Sequence, residues 1–330
     1  MTQTHVTALP DEVLLKIFHM LPSKGLNKVM LVCREWMSIG ETCSTLWTWV
    51  RARTLKNRGD LKMLQTKRLK LKEIRVTGWN EWKESGQLPE LFQALLPIAT
   101  LTTIHGLNWV DISSIEPQLV SKVMSKLNYL PFHLMKLNLK QLEVLFTSIA
   151  QKESKLKKVE CWPCKDWFQS DVSKLSPALF VAAVINVEEF DIGAQPDLQP
   201  HMQALMEAIS EGQTHLKKLN LYASSILISI DPVTLGSAIN SMEFVRIYQG
   251  EPEAQGGLGR TPLSQEQLTA ILSQIVEGDS NLKKLEIIAI TKEQIRELDW
   301  DLLRQAGEKI GAFIVNQASY GSSLTIYTIC

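Results

Sequence analysis

Hydrophobic positions along this chain follow two regimes. Over residues 9–22, LPDEVLLKIFHMLP, apolar side chains recur at helical spacing, with Val13, Leu14, Ile17, Phe18 and Leu21 in one stripe. Pro10, with Asp11 and Glu12 in the first turn, suits a helix start, where unpaired amides and the dipole favour acidic groups. Pro22 and Gly25 end the run. A second helix is predicted with Leu26, Val29, Val32, Cys33 and Trp36 facing inward, and a third segment carries Leu46, Trp47, Trp49 and Val50. Three short helices in about 45 residues cannot hide this much apolar surface among themselves. Either the first stripe docks on the rest of the chain, or a partner covers it.

From Leu71 onward the pattern becomes apolar, two residues, apolar, one residue, apolar. It is plainest in SKLKKVECW (Leu156, Val159, Cys161), THLKKLNLY (Leu216, Leu219, Leu221) and SNLKKLEII (Leu282, Leu285, Ile287). Weaker copies start at Leu71, Leu101, Leu134, Val187, Met242 and Ile310, giving a period of about 29 residues. Amphipathic helical segments lie between them, such as MQALMEAISEG and SQEQLTAILSQIVEG, the latter with Ser264 ahead and Gly278 behind as start and stop marks. Short strands alternating with helices predict an α/β fold. One such unit cannot cover its own apolar side, so the units should stack as a solenoid, parallel strands inside and helices outside. A dinucleotide-binding sheet is disfavoured, because no glycine-rich turn follows an early strand and no phosphate-loop motif occurs.

Charge alters this picture only locally. Lys and Arg number 35, as do Asp and Glu, so no overall field draws the protein to nucleic acid or anionic lipid. Yet residues 51–75, RARTLKNRGDLKMLQTKRLKLKEIR, oppose ten basic residues to Asp60 and Glu73 alone. Leu55, Leu61, Leu64, Leu69 and Leu71 are interleaved at core-like spacing, so residues 51–70 read as a basic helical linker with a solvated face. A patch for an acidic protein or for nucleic acid is the alternative, but no aromatic stacking platform accompanies the charge. Five cysteines, an odd number and widely spread, fit a reducing compartment, cytoplasm or nucleus. The start of the chain lacks the pattern of a signal peptide. The longest apolar run, PALFVAAVINV, falls short of the roughly 20 residues that cross a bilayer, so no membrane association is expected.

The N-terminal positions Leu9-Pro10, Glu12 to Leu14, Ile17-Phe18 and Leu21, then Val32-Cys33-Arg34 with Trp36, then Leu46-Trp47, resemble an F-box in order and spacing. That resemblance implies that Leu9, Pro10, Ile17, Phe18 and Leu21 face the adaptor Skp1, and through it a cullin. It also implies that Val32, Trp36 and Trp47 mainly pack the box itself. The body resembles degenerate leucine-rich repeats of the longer type, mostly without the usual asparagine. The organisation expected is an F-box at 5–50, the basic linker at 51–70 and a leucine-rich-repeat-like region at 71–330.

In such a repeat, strand alternation turns the residues between and just after the apolar anchors to the concave side. That row comprises Asn138, Glu160, Trp162, Asp191, Asn220, Tyr222, Arg246, Tyr248, Glu286 and Ile288. Trp162, Tyr222, Arg246 and Tyr248 are the candidate contacts to a protein substrate of unknown identity, since aromatics and arginine dominate desolvated hot spots. A Gly- and Pro-rich insertion at 249–261 offers a loop that is either recognising or mobile. Cys161-Trp-Pro-Cys164 supplies two metal ligands where a zinc site needs four, and Cys161 occupies an apolar anchor, so a structural role is expected. No nucleophile motif or histidine cluster appears. The expectation is therefore a non-catalytic, cofactor-free receptor subunit of an SCF-type (Skp1–cullin–F-box) ubiquitin ligase. The alternative is a scaffold or binding module acting outside a ligase.

Overall fold

A computed structural model describes residues 9–21, 25, 28–29, 31–42, 53–55, 72–106, 110–132, 135–161, 172–193, 196–222, 227, 229–249, 263–290, 292–310, 312–317 and 326–329. The chain divides into two compact units, Met1–Leu107 and Asn108–Cys330.

The first unit opens with α1 (Asp11–Met20) and α2 (Arg34–Thr42), followed by β1 (Arg53–Leu55), β2 (Glu73–Val76), α3 (Trp79–Glu84), α4 (Leu88–Leu95) and β3 (Thr103–His105). Strands β1, β2 and β3 form a parallel sheet in that order. Its core gathers Ile74, Val76, Trp82, Leu91, Phe92, Leu95 and Leu101, all buried. After β3 the chain passes so close to the Val76 carbonyl that a Cβ could not fit, which accounts for Gly106 at φ +86°.

Two sequence expectations change here. Where a helical linker is expected over 51–70, Arg53–Leu55 instead form a strand in register with Ile74, Arg75 and Val76. Sheet pairing overrides the local helical spacing there; the rest of 51–70 lies outside the described residues. The second difference concerns Val32, which is exposed rather than packed. A turn at Leu31–Val32 interrupts the helical stripe, and α2 begins only at Arg34, with Trp36 N–H donating to Cys33 Sγ at 3.5 Å.

The second unit runs β4 (Val110–Asp111), α5 (Pro117–Met124), β5 (Tyr129–Pro131), β6 (Met135–Lys136), α6 (Leu139–Ala150) and β7 (Lys158–Cys161). Next come α7 (Pro177–Val184), β8 (Glu189–Gly193), α8 (Gln199–Ser210), β9 (Lys218–Tyr222), α9 (Pro232–Asn240) and β10 (Phe244–Tyr248). It ends with α10 (Gln265–Glu277), β11 (Lys284–Ile290), α11 (Lys292–Glu297), α12 (Trp300–Ile310), β12 (Phe313–Gln317) and β13 (Ile326–Ile329). The main sheet has eight strands in the order β13-β12-β11-β10-β9-β8-β7-β5, parallel except for the antiparallel last pair, β12 and β13. From β7 to β12, strands successive in sequence are neighbours in space, so each strand, helix, strand unit lies beside the one before. One face of the sheet is apolar: Val159, Cys161, Phe190, Ile192, Leu219, Leu221, Val245, Ile247, Leu285 and Ile287 are all buried. A run of rings, Phe132, Phe146, Phe180 and Phe190, links helices to strands at centroid distances of 5.5, 6.2 and 5.7 Å.

Two kinds of unit alternate. Helices α5, α7 and α9 each start on a proline and have 8, 8 and 9 residues. Helices α6, α8 and α10 have 12, 12 and 13. Every long helix carries a buried polar residue in its first turn that reaches back to the loop ahead of the preceding short helix. Gln141 Nε2 donates to the Ile112 and Ile115 carbonyls at 2.8 and 2.6 Å, and Gln267 Nε2 to those of Leu227 and Ile230 at 2.5 and 3.2 Å. His201 Nε2 does the same to Leu175 at 2.7 Å, which fixes its proton on that nitrogen. These bonds give the loop carbonyls a side-chain donor, which for Ile112 and Leu227 adds to the backbone N–H of Ile115 and Ile230. Gln141 and Gln267 also close capping boxes with Asn138 and Ser264. The building block is thus a pair of units, about 60 residues long. Even the turns agree: Lys152 at φ 60° after α6 stands where Gly212, at φ 76°, follows α8.

Candidate partner-binding surfaces

Helix α1 divides its apolar residues between two faces. Leu14 and Phe18 are buried, with Phe18 only 1% exposed and edge-on to Trp36 at 5.4 Å between ring centroids. Ile17 is 40% exposed, and Val13, Ile17 and Met20 follow the i, i+4, i+7 spacing that puts them on one side of the helix, all exposed, as is Leu9 just ahead of it. Leu31, Val32 and Met37 add further exposed apolar surface from the turn and α2. Of the residues expected to face an adaptor, Leu9, Pro10 and Ile17 are exposed and Leu21 is half-buried. Phe18 instead seals the box against Trp36, because the stripe read from sequence spans both the inward and the outward face of the helix. Val13 and Met20, not among the expected contacts, belong to the outward face.

The second surface is the polar face of the main sheet. Register sets two rows across successive strands. One contains Tyr129, Lys158, Glu189, Lys218, Phe244 and Lys284; the other, two residues on, Pro131, Glu160, Asp191, Asn220, Arg246 and Glu286. Neighbouring strands are about 4.8 Å apart, so these side chains meet their cross-strand partners. Lys158 Nζ contacts Glu189 at 2.6, Asp191 at 2.9 and Glu160 at 3.1 Å, and Tyr129 donates to Glu160 at 2.5 Å. Burial works against the Lys158 charge, yet bonds to Glu189, Asp191 and Glu160 outweigh it and hold its pKa above the ordinary lysine value. Burial pushes the Asp191 carboxyl up, opposed by Asn220 Nδ2, which donates to it at 2.5 Å, and by Lys158. At the other end, Glu286 accepts from Arg246 Nε at 2.5 Å and from Lys284 Nζ at 2.6 Å. Burial alone would raise its pKa; the two cations bring it below the usual carboxylate value.

The concave row expected from sequence is therefore only partly a free surface. Asp191, Asn220 and Glu286 share the expected register but are buried within the ladder. Asn138 is not on the sheet at all; it caps α6, and its Nδ2 donates to the Ser113 carbonyl at 2.6 Å. The chain turns from the two-residue strand β6 straight into the helix, leaving no strand for Asn138 to join. Arg246 and Tyr248 lie two residues apart on β10, both half-buried. Tyr222 ends β9 opposite Gly193, while Trp162 and the 249–261 loop, apart from Gln249 at its start, lie outside the described residues. The cations Lys158, Lys218 and Lys284 were missed as surface-forming residues. Their signal was the second lysine of each LKK, the first strand position on the polar face.

Cys161 is buried beside Ile192 in the sheet register, and burial pushes its thiol well above the range of reactive cysteines. Among the described residues no group of three or more His, Cys, Asp or Glu side chains is arranged to hold a metal ion. No described helix is long and apolar enough to cross a membrane.

A family model described as F-box-like matches residues 6–53, the stretch that carries α1, α2 and their exposed apolar face. The chain thus has an N-terminal F-box-like domain, followed by a repeat-like region of parallel strands and helices. Among solved structures, the leucine-rich repeat-containing protein LegL7 from Legionella pneumophila aligns over 83% of this chain and 87% of its own, with 13% identity and a TM-score of 0.36. No curated protein matches the chain.

Proposed function

We propose that the protein is a substrate-recognition subunit of an SCF-type ubiquitin ligase. In this reading residues 5–50 form an F-box that docks on a Skp1-like adaptor through Leu9, Pro10, Ile17 and Leu21, extended by Val13 and Met20. Residues 71–330 form leucine-rich repeats whose polar sheet face holds a target protein, with Arg246, Tyr248, Tyr222 and Trp162 among its contacts. The chain itself performs no chemistry; it brings the target's lysines within reach of a charged conjugating enzyme. The observation that carries the proposal is the coincidence of the F-box-like match at 6–53 with exposed apolar residues at Leu9, just ahead of α1, and at Val13, Ile17 and Met20 on one side of it. A cluster of that kind needs a second polypeptide to shield it from water.

The test is co-purification. The wild-type chain should bring down a Skp1-like adaptor together with a cullin, and Ile17→Asp should lose both while unfolding at the same temperature. Full retention of the adaptor by Ile17→Asp would sink the proposed docking face. Adaptor without cullin would instead support a scaffold working outside a ligase.

A further inference from the structure

The charges on the polar face of the main sheet are sorted in two directions. In depth, carboxylates lie on the floor and cations above them: the Asp191 and Glu286 side chains are 4% and 8% exposed, those of Lys284 and Lys218 38% and 56%. Along the face, Glu160, Glu189 and Asp191 gather round Lys158 on β7 and β8. Lys218, Arg246 and Lys284 gather round Phe244 on β9 to β11. Register puts Phe244 directly between Lys218 and Lys284 on the adjoining strands. The Arg246 guanidinium and the Lys284 ammonium lie 5.5 and 5.6 Å from the centre of its half-buried ring. The carboxylate placed among these three cations is Glu286, which holds Arg246 and Lys284 in position from below. Glu189 lies 3.9 Å from Lys218 but makes its short contact with Lys158. An approaching molecule therefore meets cations and an aromatic ring at this end, with Glu286 engaged beneath them and the more exposed Glu243 paired with Lys283 at 2.7 Å.

We infer that the β9–β11 end of the face is where the target is gripped, and that it takes an acidic segment of the partner, with carboxylate or phosphate groups against Lys218, Arg246 and Lys284 and an apolar side chain on Phe244. This rests on the reading of the sheet face as the target receptor. Arg246 and Lys284, anchored by the buried Glu286, are preorganised, so little of their side-chain freedom is lost when an anion binds. The site spans three strands, roughly 10 Å across, which three or four extended residues cover.

The experiment uses the full chain and three fluorescein-labelled peptides that share one leucine-bearing frame, with glutamate, phosphoserine or lysine at the charged positions. The glutamate and phosphoserine peptides should bind, more weakly as salt rises, and their ratio tells which anion the site prefers. Lys218→Gln with Lys284→Gln should weaken both by about tenfold. Lys218→Gln alone, at the most exposed of the three positions, should weaken binding several-fold without touching the fold, which a melting curve checks. Tighter binding of the lysine peptide, lost on Phe244→Ala, would overturn the inference while leaving the face as the receptor. Binding of no peptide that responds to any of these substitutions would overturn the receptor reading and the inference with it.

Discussion

At the scale of single residues, neighbours on α1 have opposite tasks. Phe18 fills the box, with its ring against Trp36, so Phe18→Ala should cost about 3–5 kcal/mol of stability in the first unit, read by chemical denaturation. Ile17, one position earlier and exposed, should leave stability alone when replaced and, in the proposed reading, act only on partner capture. A Phe18→Ala chain that unfolds like the wild type would contradict the packing described. Glu286 is the second instructive case. Its carboxyl is held below the ordinary 4.5 by Arg246 and Lys284, so the stability it contributes is present above the unfolded-state value and is lost as pH falls through the lower folded value. Glu286→Gln should therefore cost about 1–3 kcal/mol at pH 7, discounted because both cations are more than a third exposed. The deficit should shrink as pH drops below 4 in urea titrations; an unchanged deficit at pH 3 would argue against the ion pairs. Asp191 has the opposite sign: its raised pKa makes it a burden near neutrality that protonation relieves.

At the scale of elements, the sequence was most legible where one signal repeated. The helix Gln265–Glu277 begins after Ser264 and ends at Gly278 as its marks predict, and the three LKK phrases each lead into a strand. The weaker copies at Val187 and Met242 are strands too, of the other kind in the alternation. They read as weaker copies because a single consensus averages two patterns. What local spacing could not supply was the partner of each residue. Arg53–Leu55 became a strand because β2 was there to pair with it, and Asp191 is buried in its contacts with Lys158 and Asn220. The staple between paired units is likewise invisible to periodicity, since it joins a helix to a loop 26 to 40 residues earlier. Gln267→Leu should show its worth: removing the side-chain donor from the Ile230 carbonyl, and leaving that of Leu227 with the Ile230 N–H alone, should cost about 1–3 kcal/mol, measured by thermal unfolding. A variant as stable as the wild type would mean that those carbonyls find another donor.

At the scale of the whole molecule, the two candidate surfaces differ in kind. That of the F-box-like segment is built on exposed apolar side chains, whereas the sheet face is a lattice of ion pairs. In the proposed reading, hydrophobic burial would give the first its affinity, and charge placement would give the second its selectivity. An adaptor common to many receptors suits the former, and a particular target the latter. The alternation of short and long helices also restricts how the body can evolve. Excising or duplicating a lone strand and helix would strand a glutamine or histidine without its carbonyls and set two like neighbours side by side. Growth and shortening must then proceed in whole double steps, and a lineage that changes its reach would gain or shed two helices at a time.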